Sequence, residues 1–185
     1  MKTLLLCLLV IFTGIAYAEP SAIQTATQEG LPVEAVRTLI AEGQAKQVPA
    51  AELEAAVQRR LTALRAAKVM LLETGYARCP AEQQQKLMAS VARALESRVP
   101  DAALRQTLKW GGGSRVMRLQ AVVEAGESLK LLGVDDSTVA ALMQDFVTRN
   151  LGRGEILRSV QFVSQQHRAG VAGPRMRELL WQRSR

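Results

Sequence analysis

The sequence predicts an all-α fold, in which antiparallel helical hairpins form a bundle or a short curved helical-repeat array after an N-terminal signal peptide. Three observations predict this fold. Apolar residues recur at the i, i+3, i+4, i+7 spacing of a helix in segment after segment. Prolines stand just before these segments, where a helix tolerates them. No stretch shows the sustained alternation, rich in β-branched and aromatic residues, that a sheet would require.

The first 18 residues have the pattern of a secretory signal peptide. Lys2 gives a positive start, residues 4–12 are all apolar, and cleavage is predicted between Ala18 and Glu19. The apolar run is shorter than the about 20 residues that span a bilayer. We therefore expect an exported protein, periplasmic or secreted and soluble after cleavage, with residues 19–185 forming a single all-α domain.

Prolines and aspartates mark most of the predicted helix starts. These starts fall near residues 32, 49, 80, 100, 135, 154 and 174. Acidic residues follow several of them and complement the positive end of the helix dipole. They are Glu34, Glu52, Glu82 and Asp101.

Two of the segments have especially clear apolar faces. The stripe after Pro49 consists of Leu53, Val57, Leu61, Leu64, Leu71 and Leu72. Asp135 or Asp136 is expected to cap a later helix, because aspartate is a preferred N-cap residue. That helix has the apolar face Val139, Leu142, Met143, Phe146, Val147 and Leu151. We expect Gly152 to end it.

Four of the predicted turns share a loose formula. A small or long polar residue is followed by an apolar residue, then by Pro or Asp, and four positions later by another apolar residue. The examples are Gly30-Leu31-Pro32 before Val36, Gln47-Val48-Pro49 before Leu53, Arg98-Val99-Pro100 before Leu104, and Gly133-Val134-Asp135 before Val139. Helix–turn–helix repeats whose neighbours cover one another would produce this pattern. Any all-α protein with short loops would do the same, so a bundle remains the alternative.

A run of glycines interrupts the segment that begins at Pro100. Three glycines at 111–113 would each cost about 1 kcal/mol relative to alanine inside a helix. We therefore predict a break at 111–113, with Ser114 capping a new helix that ends at Gly133.

The charge is distributed unevenly along the chain. Residues 19–148 contain 15 basic and 15 acidic side chains, whereas residues 149–185 contain eight arginines against two glutamates. The C-terminal segment 174–185 has the pattern of a basic amphipathic helix. The candidate anion-binding or partner-binding residues are Arg168, Arg175, Arg177, Arg183, Arg185 and Trp181. In the alternative interpretation, Leu179, Leu180 and Trp181 close the core and the arginines are solvated.

One thiol and one imidazole group are too few ligands for a structural zinc site. The mature chain would keep only Cys79 and His167, so we predict neither a metal nor another cofactor. Cys79 precedes Pro80 at a predicted helix start, where a thiol could pair with another chain. The alternative is a small buried residue in a turn.

One fragmentary resemblance points to an enzyme. Glu96-Ser97 and Leu142-Met143-Gln144 resemble two motifs of the lytic transglycosylases, which are exported helical enzymes with one catalytic Glu. The resemblance covers five residues, Ala141 stands where that family has Gly, and the motifs lie farther apart than the family places them. A hydrolase acting through a lone carboxylate, Glu73 or Glu96, is therefore the weakest functional hypothesis.

The preferred hypothesis is a non-enzymatic interaction or scaffold protein of the bacterial cell envelope that binds a protein partner. The alternative is peripheral binding to an anionic membrane surface or an envelope polyanion through the arginine-rich C-terminal region. Nucleic acid is not an expected partner, because the compartment is wrong and no aromatic residues interleave with the arginines as a stacking platform.

Replacing Pro49 or Pro100 with glycine should lower the melting temperature. Each proline pre-sets the φ angle of a helix start, and glycine would enlarge the ensemble of the unfolded chain. We expect a loss of about 0.4–1 kcal/mol in the free energy of unfolding for each change, measured by thermal denaturation. Unchanged melting of both P49G and P100G would contradict the role assigned to these prolines.

Overall fold

Helices are the regular secondary structure of this chain. The structure, a computed structural model, describes residues 21–76, 79–110 and 116–182, and all of its regular elements are helical. The all-α prediction is thereby confirmed. The predicted signal peptide 1–18 with its cleavage site between Ala18 and Glu19, and the predicted break at 111–113, lie outside the described residues.

Nine helices run through the described part of the chain. The first, α1, comprises residues 21–28. The others are α2 Val33–Ala45, α3 Ala50–Glu73, α4 Ala81–Glu96, α5 Asp101–Trp110, α6 Val116–Leu131, α7 Asp136–Thr148, α8 Arg153–Arg168 and α9 Gly173–Gln182. Each of the seven starts predicted from prolines, aspartates and periodicity falls within one residue of an observed start. Helix α1 was not predicted, because its short polar sequence has no clear apolar stripe.

Six of the turns between helices have the same backbone geometry. The second residue after the helix end, which follows the C-cap residue, adopts a left-handed φ between 55° and 84°. The next residue donates its N–H to the carbonyl five positions earlier, with N···O distances of 2.8–3.1 Å. This arrangement is the Schellman motif, which satisfies carbonyls that the helix end would leave without a partner. The left-handed residues are Gly30, Gln47, Arg98, Gly133, Asn150 and Gly170.

These turns also bury apolar side chains on both sides. The residue after the left-handed position is apolar in every case, and Leu31, Val99 and Val134 are fully buried. Four residues beyond the N-cap, a second apolar side chain is buried in each following helix, in the pattern of a hydrophobic staple. These side chains are Val36, Leu53, Leu104, Val139, Ile156 and Met176. The turns that share the sequence formula thus form a structural unit, and the same structure occurs at two further turns, in which Gly152 and Ala172 stand where the formula has Pro or Asp.

One of the two additional turns corrects the predicted end of α7. Gly152 does not end this helix. Helix α7 ends at Thr148, Asn150 takes the left-handed position, and Gly152 is the N-cap of α8 with φ −75°. Asparagine tolerates the left-handed region better than most side chains, so this turn does not need glycine there.

A second correction concerns the apolar stripe of α3. Leu72 is 53% exposed, whereas Leu64, Ala67 and Leu71 are fully buried. The spacing of 3.6 residues per turn carries the buried stripe from Leu64 through Ala67 to Leu71, and Leu72 lies about 100° further around the helix.

The chain divides into two compact units, the first ending at Arg65 and the second beginning at Ala66. In the first unit, α2 and α3 form an antiparallel hairpin. Gly43 lies directly against the side chain of Leu53, and the Arg60 guanidinium donates to the carbonyl of Ala35 at 3.3 Å. The first of these contacts lies close to the turn and the second lies farther from it, so the two helices remain in contact with increasing distance from the turn.

In the second unit, each of the helices α4 to α9 packs against its neighbour but one, and contacts between consecutive helices join α5 with α6, α6 with α7, and α8 with α9. Contacts join α4 with α6, α5 with α7, α6 with α8, and α7 with α9. Helices α4 and α6 run parallel, since Ser90 pairs with Glu124 at 3.2 Å and Arg93 with Glu127 at 3.3 Å. The starts of α4, α6 and α8 are 35 and then 37 residues apart, and so are those of α5, α7 and α9.

Helices α6 and α7 run antiparallel and approach closely. Arg118 at the start of α6 hydrogen-bonds to Asn150 just beyond the end of α7. Nearer the other end of α6, a Cβ added to Gly126 would lie 2.6 Å from the sulfur of Met143. Gly126 therefore leaves the space on α6 that the Met143 side chain of α7 occupies.

Substitutions at two of the left-handed positions should change the stability of the protein in opposite directions. Arg98→Gly should stabilise the protein by about 0.5–1 kcal/mol, because glycine removes the Cβ strain of a residue at φ 62°. Gly133→Ala should destabilise it by about 1–2 kcal/mol, because it introduces that strain at φ 84°. The closest atom to the added Cβ would be His167 Nε2 at 3.7 Å, so the effect is conformational and not steric. Urea denaturation measures both changes, and equal signs would refute the assignment.

Candidate functional site

A cleft of about 530 Å³ opens in the second unit between the end of α7, one face of α8 and the end of α9. Its polar lining consists of Arg149, Glu155, Arg158 and Ser159. Its apolar lining consists of Leu151, Phe162, Leu180 and Trp181. The volume lies in the range of small-ligand and side-chain pockets, about 300–1,000 Å³.

Helical periodicity explains why α8 contributes half of this lining. Positions 155, 158, 159 and 162 follow the spacing i, i+3, i+4, i+7 and so share one helix face. The turn after α7 supplies Arg149 as the C-cap residue of that helix. Trp181 lies in the last turn of α9 and closes the third side.

Asp145 on α7 holds α9 in place beside the cleft. Of the acidic residues that the structure describes, Asp145 is the one that is buried, with 7% of the residue exposed. The Arg177 guanidinium donates to both carboxylate oxygens, at 2.6 Å from Nε and 2.8 Å from Nη2. Trp181 Nε1 donates to Oδ2 at 2.7 Å. Two residues of α9 one turn apart are therefore fixed by a single carboxylate of α7.

This arrangement keeps Asp145 ionised. Burial by itself raises the pKa of the carboxyl, but the hydrogen bonds from Arg177 and Trp181 and the charges of Arg177 and Arg149 outweigh it, so the pKa lies below its ordinary value. The same hydrogen bond raises the pKa of the Arg177 guanidinium. A bidentate arginine–carboxylate pair of this kind is geometrically specific as well as strong.

The Trp181 ring is held by two further contacts. Phe146 meets it edge to face, with centroids 6.3 Å apart and an interplanar angle of 77°. The Arg149 guanidinium lies 4.1 Å from its centroid, in a cation–π contact. A guanidinium stacked in this way keeps its N–H groups directed outward along its own plane. Arg149 therefore retains donors for a ligand in the cleft.

The charged groups of the cleft are not equally available. Glu155 accepts the backbone N–H of Gly152 at 2.7 Å and so closes the start of α8. Arg158 is exposed, and among the described residues it has no ion pair or hydrogen bond. The cleft therefore presents two guanidinium groups and one carboxylate that already caps a helix.

The candidate binding residues predicted from the sequence lie at different places relative to the cleft. Trp181 lines the cleft, and Arg177 is bound to Asp145. Arg175 pairs with Glu178 on its own helix, and Arg168 is an exposed residue at the end of α8 that does not line the cleft. Arg183 and Arg185 lie outside the described residues.

Sequence reasoning did not single out Asp145, Arg149 or Arg158. A signal for Asp145 was present, because an acid next to Phe146 on the apolar face of α7 requires a buried partner. The spacing of Arg158 and Phe162, four residues apart on one helix, also placed a cation beside an aromatic ring. Which of the eight C-terminal arginines would be used internally depends on the packing of α9 against α7.

Cys79 is a free, half-exposed thiol in the turn before α4. Its backbone N–H donates to the carbonyl of Tyr76 at 3.2 Å. The Tyr76 hydroxyl is buried without a hydrogen-bond partner among the described residues, and burial raises its pKa to about 12, with a smaller contribution from Cys79. Pairing of Cys79 with another chain stays a prediction.

The two carboxylates considered for hydrolysis lie elsewhere. Glu73 is 51% exposed and forms an ion pair with Arg105, which also binds Asp101 at 2.7 Å. Glu96 is an exposed residue at the end of α4. Neither side chain lines the cleft described above.

No family model, curated protein or solved structure matches this chain. The site must therefore be interpreted from its own residues. Within residues 21–76, 79–110 and 116–182, no group of three or more His, Cys, Asp or Glu side chains could hold a metal ion. Over the same ranges, no helix combines the length and the apolarity needed to cross a membrane.

Asp145→Asn should destabilise the protein by about 2–3 kcal/mol at pH 7, because it leaves the Arg177 guanidinium without its buried counterion. The native pKa of Asp145 is lowered, so its stabilising effect is complete above the unfolded-state value of about 3.9 and is lost as the pH falls through the lower native value. The difference between wild type and D145N should therefore shrink below about pH 4.

The control for this change is Asp136→Asn. Asp136 pairs with Lys130 but its side chain is 66% exposed, so its loss should cost about 1 kcal/mol or less. Urea denaturation from pH 3 to pH 7 measures both variants. Equal costs for D145N and D136N at pH 7 would show that Asp145 does not anchor α9.

Proposed function

We propose that the mature chain is a non-enzymatic helical interaction protein of the bacterial cell envelope and that it binds a protein partner in the cleft between α7, α8 and α9. The observation that carries the proposal is the combination of two outward guanidinium groups, Arg149 and Arg158, with the anchored aromatic ring of Trp181. Arginine and tryptophan are the residues that most often dominate the binding energy of protein interfaces.

The fixed position of Trp181 supports this assignment. Asp145, Phe146 and Arg149 together hold the ring before any partner arrives. A side chain already held in its binding geometry loses less conformational entropy on association than a mobile one. The anchoring network therefore favours recognition, at a site that the packing of α9 creates.

The packing of the second unit supports a short helical-repeat array over a simple bundle. Each helix contacts its second neighbour, and equivalent helices recur at intervals of 35 and 37 residues. Proteins built in this way present extended surfaces that commonly bind other proteins. In such an array the pair α8–α9 would be the last repeat of the described chain, and the cleft would belong to that repeat.

The lining of the cleft suits binding better than catalysis. Ser159 is its hydroxyl group and Glu155 its carboxylate, but Glu155 already caps α8, and no His lines the cleft in the described residues. A serine hydroxyl such as that of Ser159 acts as a nucleophile when an adjacent base activates it. These features support a non-enzymatic role.

Binding to an anionic membrane or an envelope polyanion is the second candidate. It is favoured by the exposed arginines Arg153, Arg158 and Arg168 along α8. A flat bilayer would have to reach apolar side chains, however, and those of the cleft are recessed: Leu180 is buried and Phe162 is half-buried. An inserted side chain of a protein can reach them.

Capture experiments test the proposal. Residues 19–185 would be immobilised and exposed to envelope extract at low and at high salt. We expect one defined partner to be retained at low salt and its recovery to fall about tenfold or more in the variant Arg149→Glu/Arg158→Glu, because each reversal places like charges across the interface. Mass spectrometry of the eluate measures the recovery.

For the single reversal Arg158→Glu, the matched control is Arg168→Glu, since it makes the same change of charge on α8 outside the cleft lining. Recovery should be close to that of wild type. If R168E reduces recovery as strongly as a reversal in the cleft, the retention is due to overall charge, and the proposed site is wrong.

A further inference from the structure

We infer that the ligand of the cleft is an acidic peptide segment of the partner, in which a carboxylate lies between Arg149 and Arg158 and a neighbouring apolar side chain lies against Phe162 and Leu180. This inference rests on the proposed function and specifies the chemistry of the partner. Its observational basis is the juxtaposition of two guanidinium groups and an apolar wall in one cleft.

The charge of the lining determines the first half of the ligand. Two arginines face one glutamate, and the glutamate is engaged with the backbone of Gly152 at 2.7 Å. Arg149 is fixed above Trp181, which leaves its donors in the plane of the guanidinium. Arg158 has no ionic partner among the described residues. A carboxylate is the group that satisfies such donors, with charge-assisted hydrogen bonds.

The apolar lining determines the second half. Leu151, Phe162, Leu180 and Trp181 supply two aliphatic and two aromatic surfaces in the same cleft. Covering them with a side chain removes apolar area from water, which stabilises a complex. A ligand with a carboxylate alone would leave these apolar side chains exposed to water. A carboxylate next to a leucine or phenylalanine side chain fits both parts.

The depth of the cleft distinguishes a peptide from a lipid surface. Its apolar residues are buried or half-buried, and the strongly exposed apolar side chain of α8, Leu157, is not part of the lining. Membrane-bound helices present their apolar residues outward, so that these enter the acyl region. Here the apolar lining is buried or half-buried, so a protruding side chain reaches it more readily than a flat bilayer does.

Peptide titration tests the inference. The probe is the N-acetylated, C-amidated pentapeptide Gly-Glu-Leu-Phe-Gly, added to ¹⁵N-labelled residues 19–185. The two tryptophans of the chain are Trp110 and Trp181, so the Trp110→Phe variant assigns the indole N–H signal of Trp181. We expect that signal to shift on titration. The peptide with Gln in place of Glu should bind about tenfold or more weakly, as the loss of a charge-assisted hydrogen bond predicts.

Two protein variants localise the effect. Arg158→Gln should abolish the preference for Glu over Gln, whereas Arg168→Gln should leave it unchanged. A peptide with two serines in place of Leu-Phe should also bind at least about tenfold more weakly, because it leaves the apolar wall uncovered. Equal affinity for the Glu and Gln peptides, or an R168Q effect as large as that of R158Q, would overturn the inference.

The failure of this inference can be separated from failure of the proposed function. If the R149E/R158E variant loses its envelope partner but none of the peptides binds, the cleft is an interface and the acidic-peptide assignment is wrong. If phosphatidylglycerol vesicles bind through Arg158 and the peptides do not, both are replaced by membrane attachment. If the Glu peptide binds with the stated preferences, the ligand class is supported whether or not the extract contains a partner.

Discussion

The left-handed residue at the end of a helix is the constraint on which the rest of this structure depends. Six turns place one residue at positive φ, close the helix with the same pair of backbone hydrogen bonds, and bury an apolar side chain at the start of the next helix. A turn of this length keeps the next helix close to the one before it, as the contacts of α6 with α7 and of α8 with α9 show. Glycine supplies the conformation without strain at three of the turns, and Gln47, Arg98 and Asn150 adopt it at an energetic cost.

Because these turns resemble one another, the helices of the second unit also pack in a regular way. Because α4, α6 and α8 start at nearly constant intervals, each can lie on the next with its polar pairs in register, as Ser90 with Glu124 and Arg93 with Glu127 show. The packing of α9 against α7 uses another device. There the carboxylate of Asp145 receives donors from Arg177 and Trp181, one turn apart on α9. The arginine-rich end of the chain is therefore partly a structural element, in which one cation neutralises a buried acid.

The sequence predicted the helices better than it predicted the site, and the physical reason is the range of the interactions. Proline, aspartate and left-handed residues act within a few positions, so the starts of α2 and α5 follow from Pro32 and Pro100 alone. Gly152 misled because glycine suits a helix N-cap as well as a helix end. The partner of Arg177 lies 32 residues away on another helix, and neither propensity nor periodicity encodes that contact.

The carboxylate of Asp145, which binds Arg177, also explains how the cationic and aromatic groups of the cleft are arranged. Without the Asp145 carboxylate, the indole N–H of Trp181 would lose its acceptor, and a buried donor without an acceptor is costly. Asp145 removes this cost and fixes the ring, and the fixed ring gives Arg149 a surface on which to stack. Arg149 is thereby held beside the face of α8 that carries Arg158 and Phe162. A buried acid required for packing α9 thus also sets the spacing of cationic and aromatic groups that a partner would meet.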